Sequence, residues 1–377
     1  MQYLPVMKLS ITVVPLLFLT TSNGCLSKPK APTSKFEPKI LSSLYGYNDC
    51  IGGVNNFDTE EEYIEDLKQR NCTVVTGPDG TEITNVAPAA AIRFACKNFG
   101  LEWLDGMPVV FNFPLRDSPD RKSFEVTLSD GSKVTPDCVI LPPANEDNEM
   151  DTLLLLGQFG DGPKNTIRPV QFAVVESLIL VAPDGEIEAK GVTFENEGDM
   201  NYVDSSIRLA YSRMWSVNDF SEGTHYPNWP LPSSVYPNTC EQLYPSTTHI
   251  IRMAFSGGMT LDGVNSVLPS SSGIFSVFSA PTLESVPYLG LADLGKAESA
   301  SPGEAYESDG DNYLDICLDL KDNPYVVEED IVIKLHCDAN TGSVLYPPKG
   351  KPYGCKEEEI LLIDSELGYF TKYWTSS

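Results

Sequence analysis

The stretch SFEVTLSDGS, residues 123–132, decides the fold class of this chain. Apolar and polar side chains alternate from Phe124 to Leu128, which is typical of a β-strand with one buried face. Asp130 and Gly131 follow as a dipeptide that favours a tight turn between two strands. This segment therefore predicts antiparallel β-structure.

Comparable apolar runs lie on both sides of that stretch. They cover residues 109–113, 152–156, 170–181, 250–255 and 273–278. The 28 glycines and 29 prolines are spread along the chain, which favours many short strands joined by turns over a helical bundle. A mainly β fold is expected.

The order of these runs occurs twice. Residues 250–255 and 273–278 repeat the order of 109–113 and 123–128, and an acidic patch leads into an apolar run at 148–154 and again at 311–317. A proline-led strand then follows each time, at 169–172 and at 324–327. The repetition predicts two related β-sandwich (Ig-like) units in tandem, and a chance match of generic β patterns is the alternative.

A small helical segment that bears cysteines precedes the first unit. Thr59 and Glu62 have the spacing of a capping box, which predicts a helix from there to about Arg70. Residues 88–98 predict a second helix that begins at a proline, and residues 204–215 predict a short third one.

The resulting division of the chain has seven parts. They are a signal peptide (1–24), a flexible leader (25–44), the cysteine-bearing segment (45–100), a first β-rich unit (101–214), a connector rich in proline and aromatic residues (215–245), a second β-rich unit (246–364) and a tail (365–377).

The N-terminal residues indicate export. A short segment with one positive charge precedes the apolar run 9–20, and small residues follow it, as in a secretory signal. No segment reaches the roughly 20 apolar residues of a spanning helix, so no transmembrane span is expected. Cys25 follows the predicted cut and is lipidated, free or removed. The predicted location is secreted and extracellular.

The remaining cysteines fit an oxidising compartment. The eight disulfide candidates are Cys50, Cys72, Cys96, Cys138, Cys240, Cys317, Cys337 and Cys355. Their number is even and none has CxxC spacing, so disulfides are favoured over zinc. Most bridges are expected to be local, within the first segment and, for Cys317, within the last. Asn71-Cys72-Thr73 is a tentative glycosylation sequon at Asn71, which a disulfide at Cys72 would hinder.

The net negative charge of the chain limits the kinds of partner that it can bind. The chain has 53 acidic and 26 basic residues, a net charge of −27. Such a surface repels phosphate backbones, so no nucleic-acid partner is expected. Divalent cations, a mineral surface or basic matrix proteins are the partners that this charge favours.

One loop concentrates carboxylates and is a tentative calcium site. Glu307, Asp309, Asp311 and Asp315 lie within nine residues around a glycine. Hard divalent cations bind several oxygens on such turns. The alternative is an ordinary solvated loop. No other cofactor is expected.

Catalytic motifs are missing from the sequence. None of the three histidines accompanies a G-x-S-x-G elbow, and no H-E-x-x-H or P-loop pattern occurs in a fitting context. A carboxylate pair for hydrolysis is easily found by chance among 53 acids. Tyr226, Trp229, Tyr236 and Tyr244 either stack a sugar or pack the connector onto the units. The expectation is that the protein is not an enzyme.

In composition the chain resembles acidic secreted matrix proteins of animal skeletons and shells, which share its acidity, paired cysteines and export signal. The resemblance implies an extracellular protein of biomineralisation that binds cations or matrix partners. Two alternatives stay open, a secreted hydrolase with a carboxylate-based site and a lipid-anchored bacterial surface protein.

Overall fold

A computed structural model of the chain describes residues 36–43, 46–52, 57–70, 72, 74–76, 82–84, 103–141, 150–161, 164, 166–182, 185–195, 209–217, 239–255, 275–279, 284–292, 313–321, 331–335, 360–364 and 369–372. All of them belong to one compact unit, Thr33–Ser377. They are mainly β, as the sequence predicts.

The described strands and helices follow in chain order. The strands are β1 (Ile40–Ser43), β2 (Gly46–Gly52), β3 (Val74–Thr76), β4 (Glu82–Thr84), β5 (Trp103–Phe111), β6 (Phe124–Leu128), β7 (Lys133–Val134), β8 (Cys138–Ile140), β9 (Thr152–Gly157), β10 (Pro169–Val174), β11 (Ile179–Ala182), β12 (Gly185–Glu188), β13 (Thr193–Glu195), β14 (Leu209–Ser216), β15 (His249–Phe255), β16 (Phe275–Ser279), β17 (Glu284–Val286), β18 (Gly290–Ala292), β19 (Tyr313–Leu318), β20 (Ile331–Leu335), β21 (Ile360–Asp364) and β22 (Tyr369–Lys372). The helices are α1 (Glu60–Gln69) and α2 (Thr239–Leu243).

The first half of the structure, residues 36–195, contains two larger antiparallel sheets beside the two-stranded sheets β3-β4 and β11-β12. One has the order β1-β5-β9-β8, with β2 also paired to β5, and the other has the order β13-β10-β6-β7. The sheets share one buried apolar cluster, which includes Met107, Val109, Phe111, Phe124, Val126, Leu153, Leu155 and Phe172. Burial of these side chains is the main force that holds the two sheets together.

The other face of the β5–β9 sheet is buried as well. Leu104, Leu154 and Leu156 lie in a second cluster with three side chains of α1, which are Tyr63, Ile64 and Leu67. Because both faces are covered, the run of four leucines in β9 is buried throughout instead of alternating with polar residues.

Helix α1 has the Thr59 cap that its sequence predicts, and the Glu62 side chain reaches back to the residue before the cap. The Thr59 hydroxyl accepts a hydrogen bond from the Glu62 amide at 3.2 Å, and the Glu62 carboxylate accepts from the Asp58 amide at 3.3 Å. At the other end, the Arg70 guanidinium lies 4.3 Å from the ring centroid of Trp103 in β5. Both ends of the helix are therefore fixed.

The second half, residues 209–372, repeats the strand order of the first. Its sheets are β14-β15-β19-β18 and β17-β16-β20-β21-β22. β14, β15, β19 and β18 occupy the places of β1, β5, β9 and β8, while β21, β20, β16 and β17 occupy those of β13, β10, β6 and β7. Phe255 of one sheet and Phe275 of the other have ring centroids 6.4 Å apart.

One predicted helix is wrong. Residues 204–215 were expected to be helical, but the structure has β14 there, paired with β15 from Leu209↔Phe255 to Ser216↔His249. Pairing along the whole length of the buried strand β15 overrides the weak helical periodicity of this segment. β14 thus belongs to a sheet of the second half although the predicted division placed it in the first unit.

Two further segments differ from expectation. Residues 40–43, predicted as the end of the flexible leader, form β1 on the edge of β5. The run 170–181 is split into β10 and β11, because the chain turns away after Val174 into the β11–β12 hairpin. In the second half, the place of β10 is taken by β20 at 331–335. The proline-led strand predicted at 324–327 and the helix predicted at 88–98 lie outside the described residues.

Candidate functional site

Four polar side chains meet inside the protein where the two halves touch. Asp151 and Thr152 stand at the start of β9 in the first half, and Tyr211 of β14 and Tyr313 of β19 come from the second. Their exposed fractions are 0%, 4%, 4% and 3%. We call this group the polar joint.

The carboxylate of Asp151 is the centre of the polar joint. Its Oδ2 accepts a hydrogen bond from the Tyr211 hydroxyl at 2.5 Å, and its Oδ1 accepts one from the Tyr313 hydroxyl. The Thr152 hydroxyl lies 2.6 Å from the Tyr313 hydroxyl oxygen. Because Tyr313 donates to Asp151, the consistent assignment has Thr152 donating to Tyr313. One carboxylate of the first half thus receives two donors from the second.

The environment keeps Tyr313 protonated. Burial, above all, raises the pKa of the Tyr313 hydroxyl well above its ordinary value, and the nearby carboxylate of Asp151 raises it further. A neutral hydroxyl can donate to Asp151, whereas a tyrosinate would repel it. The joint therefore depends on this proton.

A buried ion pair lies beside the joint. Arg252 of β15 donates from Nε to Asp315 Oδ1 at 2.9 Å and from Nη2 to Oδ2 at 3.1 Å, on adjacent strands. Burial raises the pKa of the Asp315 carboxyl, and the charge and hydrogen bonds of Arg252 act in the opposite direction. The Arg252 guanidinium carbon also lies 5.9 Å from the Tyr313 ring centroid. A bidentate pair of this kind fixes both side chains.

One face of β19 carries three successive anchors. Tyr313, Asp315 and Cys317 alternate along the strand, so their side chains share a face. Tyr313 bonds Asp151 across the joint, Asp315 binds Arg252, and Cys317 forms a disulfide with Cys240 of α2. This strand connects the first half, its own sheet and α2.

The geometry of the joint suits a structural role. Tyr211 and Tyr313 belong to a buried cluster with Val110, Ala210 and Ala254, against which Leu41 also packs. The Asp151 side chain is fully buried, so its carboxylate is not open to solvent. Among the residues that the structure describes, no group of three or more His, Cys, Asp and Glu is placed to hold a metal ion.

The structure describes only the last residues of the predicted calcium loop. Asp315 is buried in β19, and both of its carboxylate oxygens accept from Arg252. Glu307, Asp309 and Asp311 lie outside the described residues. A calcium ion in this loop would thus depend on those three carboxylates, and the site stays a prediction.

Cysteine pairing agrees with the prediction in part. Cys50 and Cys72 form a local disulfide in the first segment, as expected. Cys317 pairs with Cys240, 77 residues away, instead of with a cysteine of its own segment, because α2 packs beside β18 and β19. Cys138 is also disulfide-bonded. The predictions for Cys96, Cys337 and Cys355 fall outside the described residues.

The structure describes parts of two other predicted features, the glycosylation sequon at Asn71 and the aromatic residues of the connector. The Asn71 sequon lies outside the described residues, next to Cys72, which is buried and disulfide-bonded. Of the aromatic residues in the connector, Tyr244 is described and packs over Gly290, with its hydroxyl 3.4 Å from the Leu291 carbonyl oxygen. That contact fits the packing alternative for Tyr244.

Local sequence patterns did not predict that Asp151, Tyr211, Tyr313 and Arg252 lie together. A usable signal existed for the ion pair, since Arg252 and Asp315 each interrupt an otherwise apolar strand. Two opposite charges in two buried strands require each other. The joint offers no such signal, because Asp151 and Tyr313 lie at strand starts, where polar residues are ordinary.

No protein-family model matches the chain, and no curated protein matches it in sequence. Within the described ranges, no helix combines the length and the apolar character that crossing a membrane requires.

Proposed function

We propose that the protein is a secreted, non-enzymatic extracellular protein, built from two Ig-like β-sandwiches, that binds cationic partners through its acidic surface. The partners are divalent cations or basic segments of matrix proteins. The excess of 53 acidic over 26 basic residues carries this proposal.

Strand order supports the Ig-like architecture. The order β1-β5-β9-β8 corresponds to strands A, B, E and D of an immunoglobulin sheet, and β13-β10-β6 corresponds to G, F and C of the sheet that faces it. The second half has the same correspondence. Modules of this kind usually act by binding, through loops at the ends of the sheets.

Disulfides support the extracellular location. Cys50–Cys72 and Cys240–Cys317 persist only where thiols are oxidised, and the N-terminal residues resemble an export signal. Titration of the denatured, unreduced protein with a thiol reagent should find none of the eight cysteines after Cys25. Mass spectrometry of the N-terminus separates a cleaved signal from a lipidated Cys25.

Binding to two defined probes tests the function. Calcium is measured by equilibrium dialysis at about 0.15 M NaCl, and a lysine homopolymer by titration, with a glutamate homopolymer as its control. We expect calcium, the lysine polymer or both to bind, and the glutamate polymer not to bind. Failure of both cationic probes would overturn the proposal.

A charge-reversal variant shows whether surface acidity is responsible. Asp137 and Glu176 are exposed acids of the first half. D137K/E176K should weaken polymer binding more than the isosteric D137N/E176Q, in proportion to the charge removed. Release of sugars from polysaccharides by purified protein would instead favour the hydrolase alternative.

A further inference from the structure

The two halves match residue by residue in strand register. Val109 and Leu153 face each other on β5 and β9, as Met253 and Leu314 do on β15 and β19. The same correspondence continues through the other pairs: Pro108↔Leu154 with Arg252↔Asp315, Cys138↔Leu156 with Gly290↔Cys317, and Val126↔Val134 with Val277↔Val286.

A shared irregularity strengthens the match. On β1 the register shifts between Ile40, which faces Phe111, and Ser42, which faces Val110. On β14 it shifts at the corresponding place, between Leu209, which faces Phe255, and Tyr211, which faces Ala254. A bulge at the same position in both halves makes Ser42 equivalent to Tyr211, and Leu41 equivalent to Ala210.

The contact between the halves joins equivalent positions. Thr152 and Tyr313, the first residues of β9 and β19, are equivalent and share a hydrogen bond. Val110 and Ala254 are equivalent and lie in one buried cluster, in which Ala210 and its equivalent Leu41 also take part. The equivalent edge strands β1 and β14 contact each other as well.

From this we propose that the halves dock across a pseudo-two-fold axis, through the same face of each, as the subunits of a symmetric homodimer do. In a two-fold interface, residue i of one partner meets residue i of the other near the axis, whereas head-to-tail docking brings different positions together. The partner that this face fits is therefore a second copy of the unit. Here that copy is covalently joined.

The pairs at the axis are complementary in size. Val110 and its equivalent Ala254 lie in one buried cluster, which also holds Ala210 and against which its equivalent Leu41 packs. Thr152 and its equivalent Tyr313 are joined by a hydrogen bond. A large side chain in one half is matched by a smaller one in the other, which identical subunits cannot achieve. The inference rests on the two-unit architecture proposed above and not on cation binding.

A side-chain exchange across the axis tests the proposal. In V110A/A254V the volume removed from one half is restored by the other, so the double variant should recover most of the stability that each single variant loses. Each single change is expected to lower Tm by about 2 °C or more, through a cavity or through overpacking.

The matched control uses the equivalent pair one position away. Val109 and Met253 point to the opposite face, into the separate interiors of the two halves. The losses in V109M/M253V should therefore add, because a cavity in one interior cannot be filled from the other. If V110A/A254V is also additive, equivalent positions do not meet and the proposal is overturned.

Distance measurements give a second, independent readout. Lys133 is equivalent to Ser285, and Asp137 to Leu289, and all four are exposed. Spin labels on ketone-bearing residues leave the native cysteines untouched. Under a two-fold axis the distance 133–289 equals the distance 137–285 within the width of the distributions. Unequal distances overturn the axis, while the binding proposal stands or falls on its own probes.

Discussion

Arg252 is the largest completely buried side chain of the described residues. Its positive charge is paired with the carboxylate of Asp315. Removing one partner leaves the other charge buried, which typically costs about 3–5 kcal/mol, a large share of the roughly 5–15 kcal/mol by which a whole domain is stable. R252M and D315L are each expected to destabilise the protein by about that much. The double variant R252M/D315L should lose less than the sum of the two, as measured by urea unfolding. Additive losses would show that the pair does not act as a unit.

The raised pKa of Tyr313 predicts that the folded protein becomes less stable at alkaline pH. Its pKa is raised in the folded protein, while in the unfolded chain a tyrosine ionises near pH 10. Stability from this hydroxyl is thus complete below about pH 10 and falls as the pH rises further, because the unfolded state releases the proton first. Between about pH 9 and 11 the Tm of the wild type should fall more steeply than that of Tyr313→Phe. Parallel curves would contradict the prediction, and the slopes near neutral pH serve as the control.

At the level of elements, Tyr244, the residue directly after α2, packs closely on Gly290 of β18. A Cβ atom placed on Gly290 would lie 2.0 Å from the Tyr244 hydroxyl oxygen and 2.2 Å from Cζ of the same ring. Gly290→Ala should therefore displace Tyr244 and cost about 1–3 kcal/mol. In a Tyr244→Ala background the same change should cost much less, which a thermal double-mutant cycle measures. An equal cost in both backgrounds would mean that Tyr244 is not the obstacle.

Elements with a local sequence signature were predicted well, and those that depend on distant partners were not. The Thr59 cap of α1, the strand β6 and the turn at Gly131 follow from neighbouring residues, and Gly131 has the positive φ of 86° that such a turn needs. β14 was predicted as helix, because its strand character comes from pairing with β15, which begins 33 residues after β14 ends (249 minus 216). The polar joint also depends on residues that are distant in sequence, so local patterns could not predict it.

For the molecule as a whole, the net charge of −27 opposes compaction, and cations should relieve it. We expect calcium to raise the Tm in a saturable way that sodium at equal ionic strength does not reproduce, because only the folded chain presents a calcium site. D309N/D311N separates a specific loop from general screening, since it should abolish the saturable part alone. A full calcium response in this variant would exclude the loop, and no response to any salt would refute cation binding.

The disulfide between Cys240 and Cys317 has a mechanical consequence. It closes a covalent loop with a sequence separation of 77 residues, which includes β15, β16, β17 and β18. When the protein is pulled from its two ends, this loop cannot lengthen even after its strands separate. About 260 Å of chain is thereby withheld from extension, at roughly 3.4 Å per residue. In a single-molecule pulling experiment the unfolded length should grow by at least that amount once a reductant is added, since the reductant also opens Cys50–Cys72. The second half therefore behaves as a tether of limited reach in an oxidising medium.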